Sequence, residues 1–217
     1  ALSIRKVVRP FWRFLKSSGI CGPIEVEIKQ GTYNEQLVIS DISGLSAESY
    51  IVFKGEASAE QTIITYTPTS NADNDAKYVL NLDSVSNITF QDLTISITDT
   101  TTSFVIDVNH SENITFNQMT FATPHSVTPD LFKVRNTNNI TFTNNNFYGS
   151  SNQIKSEDAI TTLNINNNKF YDFGTTALEL SNISGLQINN NSFSTVSSKI
   201  VLTAVKLSQI SGVLRIM

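Results

Sequence analysis

The chain is poor in cysteine, histidine and charge, and each shortage narrows what it can be. Cys21 is the single cysteine, so no internal disulfide can form. The two histidines, His110 and His125, lie 15 residues apart, one in a turn phrase and one in a proline-flanked loop; that placement predicts neither a zinc site nor a histidine-based triad. Charged residues make up 16% of the chain, below the roughly 25% of an average globular domain. No apolar run reaches the roughly 18 residues that a membrane-spanning helix needs. The nine glycines are scattered as turn residues, with no phosphate-cradling loop. Formal net charge is −4, which gives no reason to expect nucleic acid as a partner. Arg5, Lys6, Arg9, Arg13 and Lys16 precede the first acid, Glu25. The basic residues in "IRKVVRPFWRFLK" are spread through its apolar pattern, unlike a signal-peptide core.

With charge scarce, Asn, Ser and Thr must supply the polar surface, a composition that suits strands and turns. One phrase recurs: "SNITFQDLTI" from Ser86, "SENITFNQMTF" from Ser111, "NNITFTNNNF" from Asn138. Aligned on apolar positions it continues through Leu163 and Ile165, then Leu186 and Ile188, at offsets of 26, 26, 23 and 23 residues. Alternation with period two marks a strand with one buried face. A second strand precedes each phrase ("YVLNL", "FVIDV", "LFKVR", "ALEL", "AVKL"), and in four cases its last inward residue lies six before the phrase. The coil near residue 160 is shorter and breaks that rule. Repeats of this length predict a stacked solenoid in which equivalent side chains lie above one another. The stacking predicts a structural ladder of Asn145, Asn168 and Asn191, a neighbouring turn column of Asp92, Gln118, Asn144, Asn167 and Asn190, and an aromatic stack of Phe121, Phe147, Phe170 and Phe193.

"NITFTNNNF", "TLNINNNKF" and "GLQINNNSF" resemble the coil consensus of right-handed parallel β-helices of the pectin-lyase-like superfamily. The expected fold is therefore an all-β, right-handed parallel β-helix over residues 22–217. Residues 1–21 are expected to form a cap segment with a short helix in "RPFWRFLKSSG", Pro10 near its first turn and Gly19 after its end. The run from "SSGICGP" through "GTYNEQL" to "IVFKGE" resembles the opening coils of secreted surface β-helix proteins of Bacteroidetes. "GTYNEQL" is also similar to the first coil of pectin methylesterases. "GVLRIM" begins another phrase and stops within it, which predicts a truncated last coil with a strand edge open to self-association.

The resemblance implies a fold shared by adhesins, lyases and esterases rather than one activity. Esterases of this fold need two carboxylates and supporting glutamines on adjacent coils, with an arginine nearby. Gln91, Asp92 and Asp172 come nearest to that pattern, but Asp92 reads as a member of the turn column and Asp172 as a loop residue. The outward row Asn81, Asp107, Lys133, Glu179, Lys206 alternates in sign and reads as cross-strand charge pairing, not a calcium site. Glu157 and Asp158 are adjacent and point to opposite faces. Tyr148 and Tyr171 follow the inward phenylalanines of consecutive coils, so they face outward and stack; with Asp172 beside them they form a candidate carbohydrate-binding site. The "NIT" and "NIS" triplets at 87, 113, 139 and 182 read as turn-plus-strand residues. No catalytic residue, metal or cofactor is assigned. The expected function is a non-catalytic secreted or cell-surface module that binds a polysaccharide or cell-surface glycan, or serves as an adhesin-like spacer. The alternative is a polysaccharide-active enzyme, a lyase or carbohydrate esterase.

Overall fold

The computed structural model describes residues 2–4, 9–67, 78–97, 104–123, 129–195 and 203–216. All strand pairings among them are parallel, and they link counterparts in successive coils: Ile88 pairs with Ile114, Ile114 with Ile140, Ile140 with Leu163 and Leu163 with Leu186. The result is a parallel β-solenoid. A 14-stranded sheet carries two limbs and a 7-stranded sheet carries the short third strand of each coil. The phrase limb contains Ser86–Gln91, Glu112–Asn117, Asn138–Thr143 and Ile160–Asn166. The second limb contains Leu80–Asp83, Phe104–Asn109, Asp130–Arg135 and Asn152–Ser156. The limbs are joined because Thr176–Asn189 runs unbroken through both.

The core is built of columns. Phe53, Phe90, Phe116 and Phe142 stack at centroid distances of 5.2, 5.5 and 5.3 Å. Phe121, Phe147, Phe170 and Phe193 stack at 5.0, 4.6 and 5.0 Å, as the repeat predicts. Phe132, from the second limb, meets both columns edge-on, 5.1 Å from Phe116 and 4.8 Å from Phe121. Edge-to-face and offset-stacked contacts are the favoured aromatic geometries, so one ring ties the three strand sets together.

Between each phrase strand and its short strand the chain turns sharply. Asp92, Gln118, Asn144, Asn167 and Asn190 all adopt left-handed backbone, with φ of 53–57°. Asn is tolerated there because its short side chain bonds locally. In the last three of these coils the next residue is an asparagine that turns inward and forms the predicted ladder. Asn168 Oδ1 accepts from the Asn145 backbone N–H and side-chain amide at 2.9 and 3.0 Å, while Asn168 Nδ2 donates to Phe142 O and Asn191 Oδ1 at 3.0 and 3.1 Å. Asn145 Oδ1 then takes the Met119 N–H at 2.9 Å. A second ladder runs on the other turn, where Asn139 donates to Asn113 and Asn113 to Asn87, at 2.7 and 3.2 Å. These are the asparagines of three "NIT" triplets, and their role here is structural.

The coil near residue 160 is shorter because the link from Tyr148 to Asn152 is shorter than that from Ala122 to Asp130, and its missing apolar mark is explained by one residue. Ser156 occupies the inward place held by Val134 in the coil before, is buried, and donates to Ser181 O at 2.9 Å. At the N-terminal end the helix spans Arg9–Ser18. Leu15 is buried beneath it, and Gly19, at φ 67°, returns its N–H to Leu15 O at 2.8 Å, a left-handed helix stop. The cap segment also supplies a strand, Leu2–Ile4, which pairs with Ile24–Ile28.

Asn168→Ala removes the ladder's central acceptor and donor, leaving the buried Asn145 N–H without its partner and taking one bond each from the Asn145 and Asn191 amides. At about 1–3 kcal/mol for a buried group left unsatisfied, the variant is expected to lose about 2–4 kcal/mol of stability, read from its urea unfolding midpoint. A loss under about 0.5 kcal/mol, the level of an ordinary surface substitution, would show that the ladder is not a stabilising element.

Candidate functional site

Two outward faces carry chemistry. The first belongs to the short sheet. In each three-residue strand the middle residue points inward and the outer two point outward, Thr94 lying buried under the turn Ala59–Gln61. The outer columns are Thr94, Thr120, Asn146, Lys169, Ser192 and Ser96, Ala122, Tyr148, Tyr171, Ser194.

Tyr148 and Tyr171 stack as expected, with centroids 4.9 Å apart and ring planes 11° from parallel. The stacking changes what the pair offers. Each ring covers one face of the other, so the two do not lie side by side as a double-width platform. The free face of Tyr148 looks toward Ala122, and that of Tyr171 toward Ser194. Ala122 and Ser96 are small, which leaves a notch against a Tyr148 ring that is 39% exposed. Asp172, the third residue expected at this site, ends the strand in a left-handed turn at φ 56° and donates its N–H to Ser194 O at 3.0 Å.

Beside the notch lies a groove of about 380 Å³. One wall is the 3-10 turn Ala59–Gln61, anchored where Thr94 Oγ1 donates to Ala59 O at 2.7 Å. The lining includes Glu60, Asp92, Gln118, Thr120, Asn144 and Asn146. Burial, the neighbouring Tyr171 and the Glu60 carboxylate together push the Tyr148 phenol above its ordinary value. Glu60 and Tyr148 therefore share one electrostatic environment.

The second face is the outer side of the second limb. The predicted charge row is present and contains a member the sequence pattern missed: Lys155 stands between Lys133 and Glu179. Within the row, Asn81 donates to Asp107 at 3.2 Å and Lys206 pairs with Glu179 at 2.6 Å. The other pairs run diagonally. Arg135 Nη2 reaches both Asp107 oxygens at 3.0 and 2.7 Å. Lys133 meets Glu157 at 3.0 Å, and Lys155 meets Glu157 at 3.2 Å and Asp130 at 3.5 Å. Asp130 Oδ1 accepts from the buried Asn152 at 2.7 Å. Burial outweighs the adjacent cations and holds the Asp107 and Asp130 carboxyls above their ordinary value. Asp158 faces away and accepts from Asn136 at 3.3 Å.

Two carboxylates and an arginine on adjacent coils are thus Asp107, Asp130 and Arg135. Asp92 and Asp172 are not brought together: the coils of Thr120–Ala122 and Asn146–Tyr148 lie between theirs. The nearest glutamine by sequence, Gln153, is turned inward and donates to Gly149 O and Tyr171 O at 3.0 and 2.7 Å. Asp130 escaped the sequence pattern because its register partner is Phe104, so an acid replaces an apolar residue within one column. His110 sits in a left-handed turn, exposed, with Nδ1 3.7 Å from Asp83 Oδ1; His125 lies outside the described residues. Among the described residues no three His, Cys, Asp or Glu side chains gather as metal ligands. No described helix is long and apolar enough to cross a membrane.

No family profile matches the chain, and no curated protein matches it. Solved structures do. Pectin methylesterase PemA from Erwinia chrysanthemi superposes with a TM-score of 0.62 at 15% identity, over 91% of this chain and 66% of that one. A pectin methylesterase in complex with a hexasaccharide gives 0.60 at 16% identity, over 89% and 63%. Pectin methylesterase from Yersinia enterocolitica gives 0.54 at 14%, over 83% and 64%. The chain shares their pectin-lyase-like β-helix fold. It spans less than two thirds of the length of each, and identity this low establishes the fold alone.

The raised Asp130 value gives a pH prediction. An acid whose folded pKa exceeds its unfolded one stabilises fully below the unfolded value, and that contribution is lost as pH rises through the folded value. Asp130→Asn keeps the acceptor for Asn152 and cannot ionise. The thermal midpoint of the wild type relative to this variant should therefore fall as pH rises from about 4 toward 7. A difference that stays constant across that range would mean Asp130 ionises in the fold without penalty.

Proposed function

We propose that this chain is a non-catalytic carbohydrate-binding β-helix module, secreted or displayed at a cell surface, that holds a polysaccharide along its short-sheet face. The observation that carries the reading is the free face of Tyr148, bounded by the small Ala122 and Ser96 and adjoining a groove lined with amides, hydroxyls and two carboxylates. An exposed aromatic face beside convergent polar groups suits a sugar ring, which has apolar C–H faces and a hydroxyl rim. The neighbours in fold support the ligand class: they are pectin methylesterases, and two hold a hexasaccharide. In this reading Tyr171 backs Tyr148 as a stacked support, Asn146 and Thr120 offer hydrogen bonds, and Asp172 flanks the outer end of the strand.

A second reading, ester hydrolysis, rests on the other face. There burial moves the Asp130 carboxyl above its ordinary value, the direction that suits proton donation. Asp107 is held by Arg135 one coil away. Against it stands access: Asp107 is 5% exposed and both its oxygens are engaged.

Native gels cast with pectin, arabinogalactan, xylan or glycol chitosan test the first reading. At least one polysaccharide should retard the wild type, and Tyr148→Ala should weaken that retention by about tenfold or more, as loss of a central aromatic anchor does. Retention that survives the substitution unchanged would remove the Tyr148 face from the site. Methanol release from methyl-esterified pectin, abolished by Asp130→Ala, would replace the binding reading with the hydrolytic one.

A further inference from the structure

Coils of this solenoid can be joined covalently in one way that the sequence leaves open. The single cysteine, Cys21, is exposed and has no second cysteine to pair with, so no disulfide ties one coil to another. Tyrosine is the other side chain that oxidation can couple. Among the described residues, Tyr148 and Tyr171 are the two tyrosines in ring contact, with centroids 4.9 Å apart and planes 11° from parallel. Their register is held from several sides. Asn146 pairs with Lys169 and Phe147 with Phe170, and the two phenylalanines stack at 4.6 Å beneath the same strands. The Gly149 N–H donates to Tyr171 O at 3.1 Å. From inside, the Gln153 amide clasps both strand ends, donating to Gly149 O and Tyr171 O at 3.0 and 2.7 Å. The stack is open to small reagents: Tyr148 is 39% exposed, and the register neighbours at either end, Ala122 and Ser194, are small. The other tyrosines stand apart. Tyr33 is buried with its hydroxyl on Lys29 O, Tyr66 packs against the core, Tyr78 stacks on Phe104, and Tyr50 is exposed.

We propose that Tyr148 and Tyr171 form an oxidative coupling site, at which a one-electron oxidant joins them into a dityrosine that staples two neighbouring coils. The oxidant class is a haem peroxidase turning over hydrogen peroxide. Each phenol gives one electron to the peroxidase and one proton to solvent, which leaves a phenoxyl radical with spin on the oxygen and on the carbons ortho to it. The two radicals combine through one ortho carbon of each ring. One C–C bond forms, and the hydrogens of those two carbons move to the oxygens and restore both phenols. The protein loses two hydrogen atoms in all, and one peroxide molecule is reduced to two waters. Proximity favours this route, because a partner fixed beside a radical reacts at an effective concentration far above that of dilute protein. The new bond closes the chain between residues 148 and 171 and restricts the unfolded chain as a disulfide does. Coupling uses the mutually covered faces of the rings, so it does not depend on a sugar occupying the free face of Tyr148.

The test treats dilute protein, with Cys21 alkylated beforehand, with a plant haem peroxidase and hydrogen peroxide, and recovers the monomer by size exclusion. That monomer should gain dityrosine fluorescence, lose the mass of two hydrogens, and yield a cross-linked peptide that joins Tyr148 to Tyr171 in tandem mass spectrometry. Its urea unfolding midpoint should rise above that of untreated protein. Tyr171→Phe keeps a ring against Tyr148 but cannot form a phenoxyl radical, so its monomer should show neither the fluorescence nor the mass loss. Tyr50→Phe should behave as the wild type. Unchanged circular dichroism shows that each variant keeps the fold. A mass loss that persists in the Tyr171→Phe monomer would assign the coupling elsewhere. Cross-linking confined to dimers would show that the stack does not direct it. No dityrosine in the protein, while free tyrosine couples in the same mixture, would show that the pair is unreactive. Each of these three results overturns the proposal, and a cross-linked monomer whose midpoint does not rise overturns the staple.

Discussion

Each coil of this protein is registered on the one beneath it by parallel hydrogen bonds, so a side chain's principal neighbours are its own equivalents one coil up and one coil down. That constraint generates the rest. Inward positions become columns, and a column of phenylalanines at 4.6–5.5 Å spacing is stable because stacked and edge-on rings both find partners. Turn positions become ladders, because an amide that must bury itself at every turn meets another amide at bonding distance. An asparagine inside an apolar core is ordinarily costly. Here Asn145 and Asn168 are each 1% exposed and fully used, since the next coil repeats the same group.

The same constraint decides what was legible in the sequence. Columns of like residues write themselves as a repeat, so the solenoid, the Asn145–Asn168–Asn191 ladder, the phenylalanine stack and the outward tyrosines can all be read from spacing. Breaks in a column cannot. Ser156 stands where valine precedes it, which hid the strand Asn152–Ser156 and with it Lys155. Asp130 follows Phe104 in its column and was invisible for the same reason. The tyrosine stack shows a different limit. Period-two alternation says that both rings face outward, but only their 11° interplanar angle and 4.9 Å separation show that they cover each other and leave one free face apiece.

The breaks are also where the molecule departs from mere self-complementarity. A perfect column saturates itself: every group has its partner in the neighbouring coil, and nothing remains for a ligand. Where Ala122 lies beneath Tyr148, a ring face is left open. Where Glu60 and Asp92 line a groove, neither forms an ion pair among the described residues. The second limb resolves its own irregularity internally, with Arg135 forked onto Asp107 and Lys155 shared between Asp130 and Glu157. Both faces are irregular, and even the paired second limb leaves Arg135 Nε, Asn109 Oδ1 and Asn152 Oδ1 buried without a partner among the described residues.

This separation of frame from surface explains how the chain can superpose on pectin methylesterases at 14–16% identity. The frame needs apolar residues inward at period two and a left-handed residue at each turn, and many sequences meet those terms. Outward residues are nearly free of the stacking rule, because solvent or a matched charge satisfies them at little cost. They are the residues that choose a ligand. A shared β-helix therefore transmits a shape, a long ruled surface, while the chemistry along it is set locally by the outward residues. In this chain one limb carries a row of paired charges and the short sheet carries a stacked tyrosine pair.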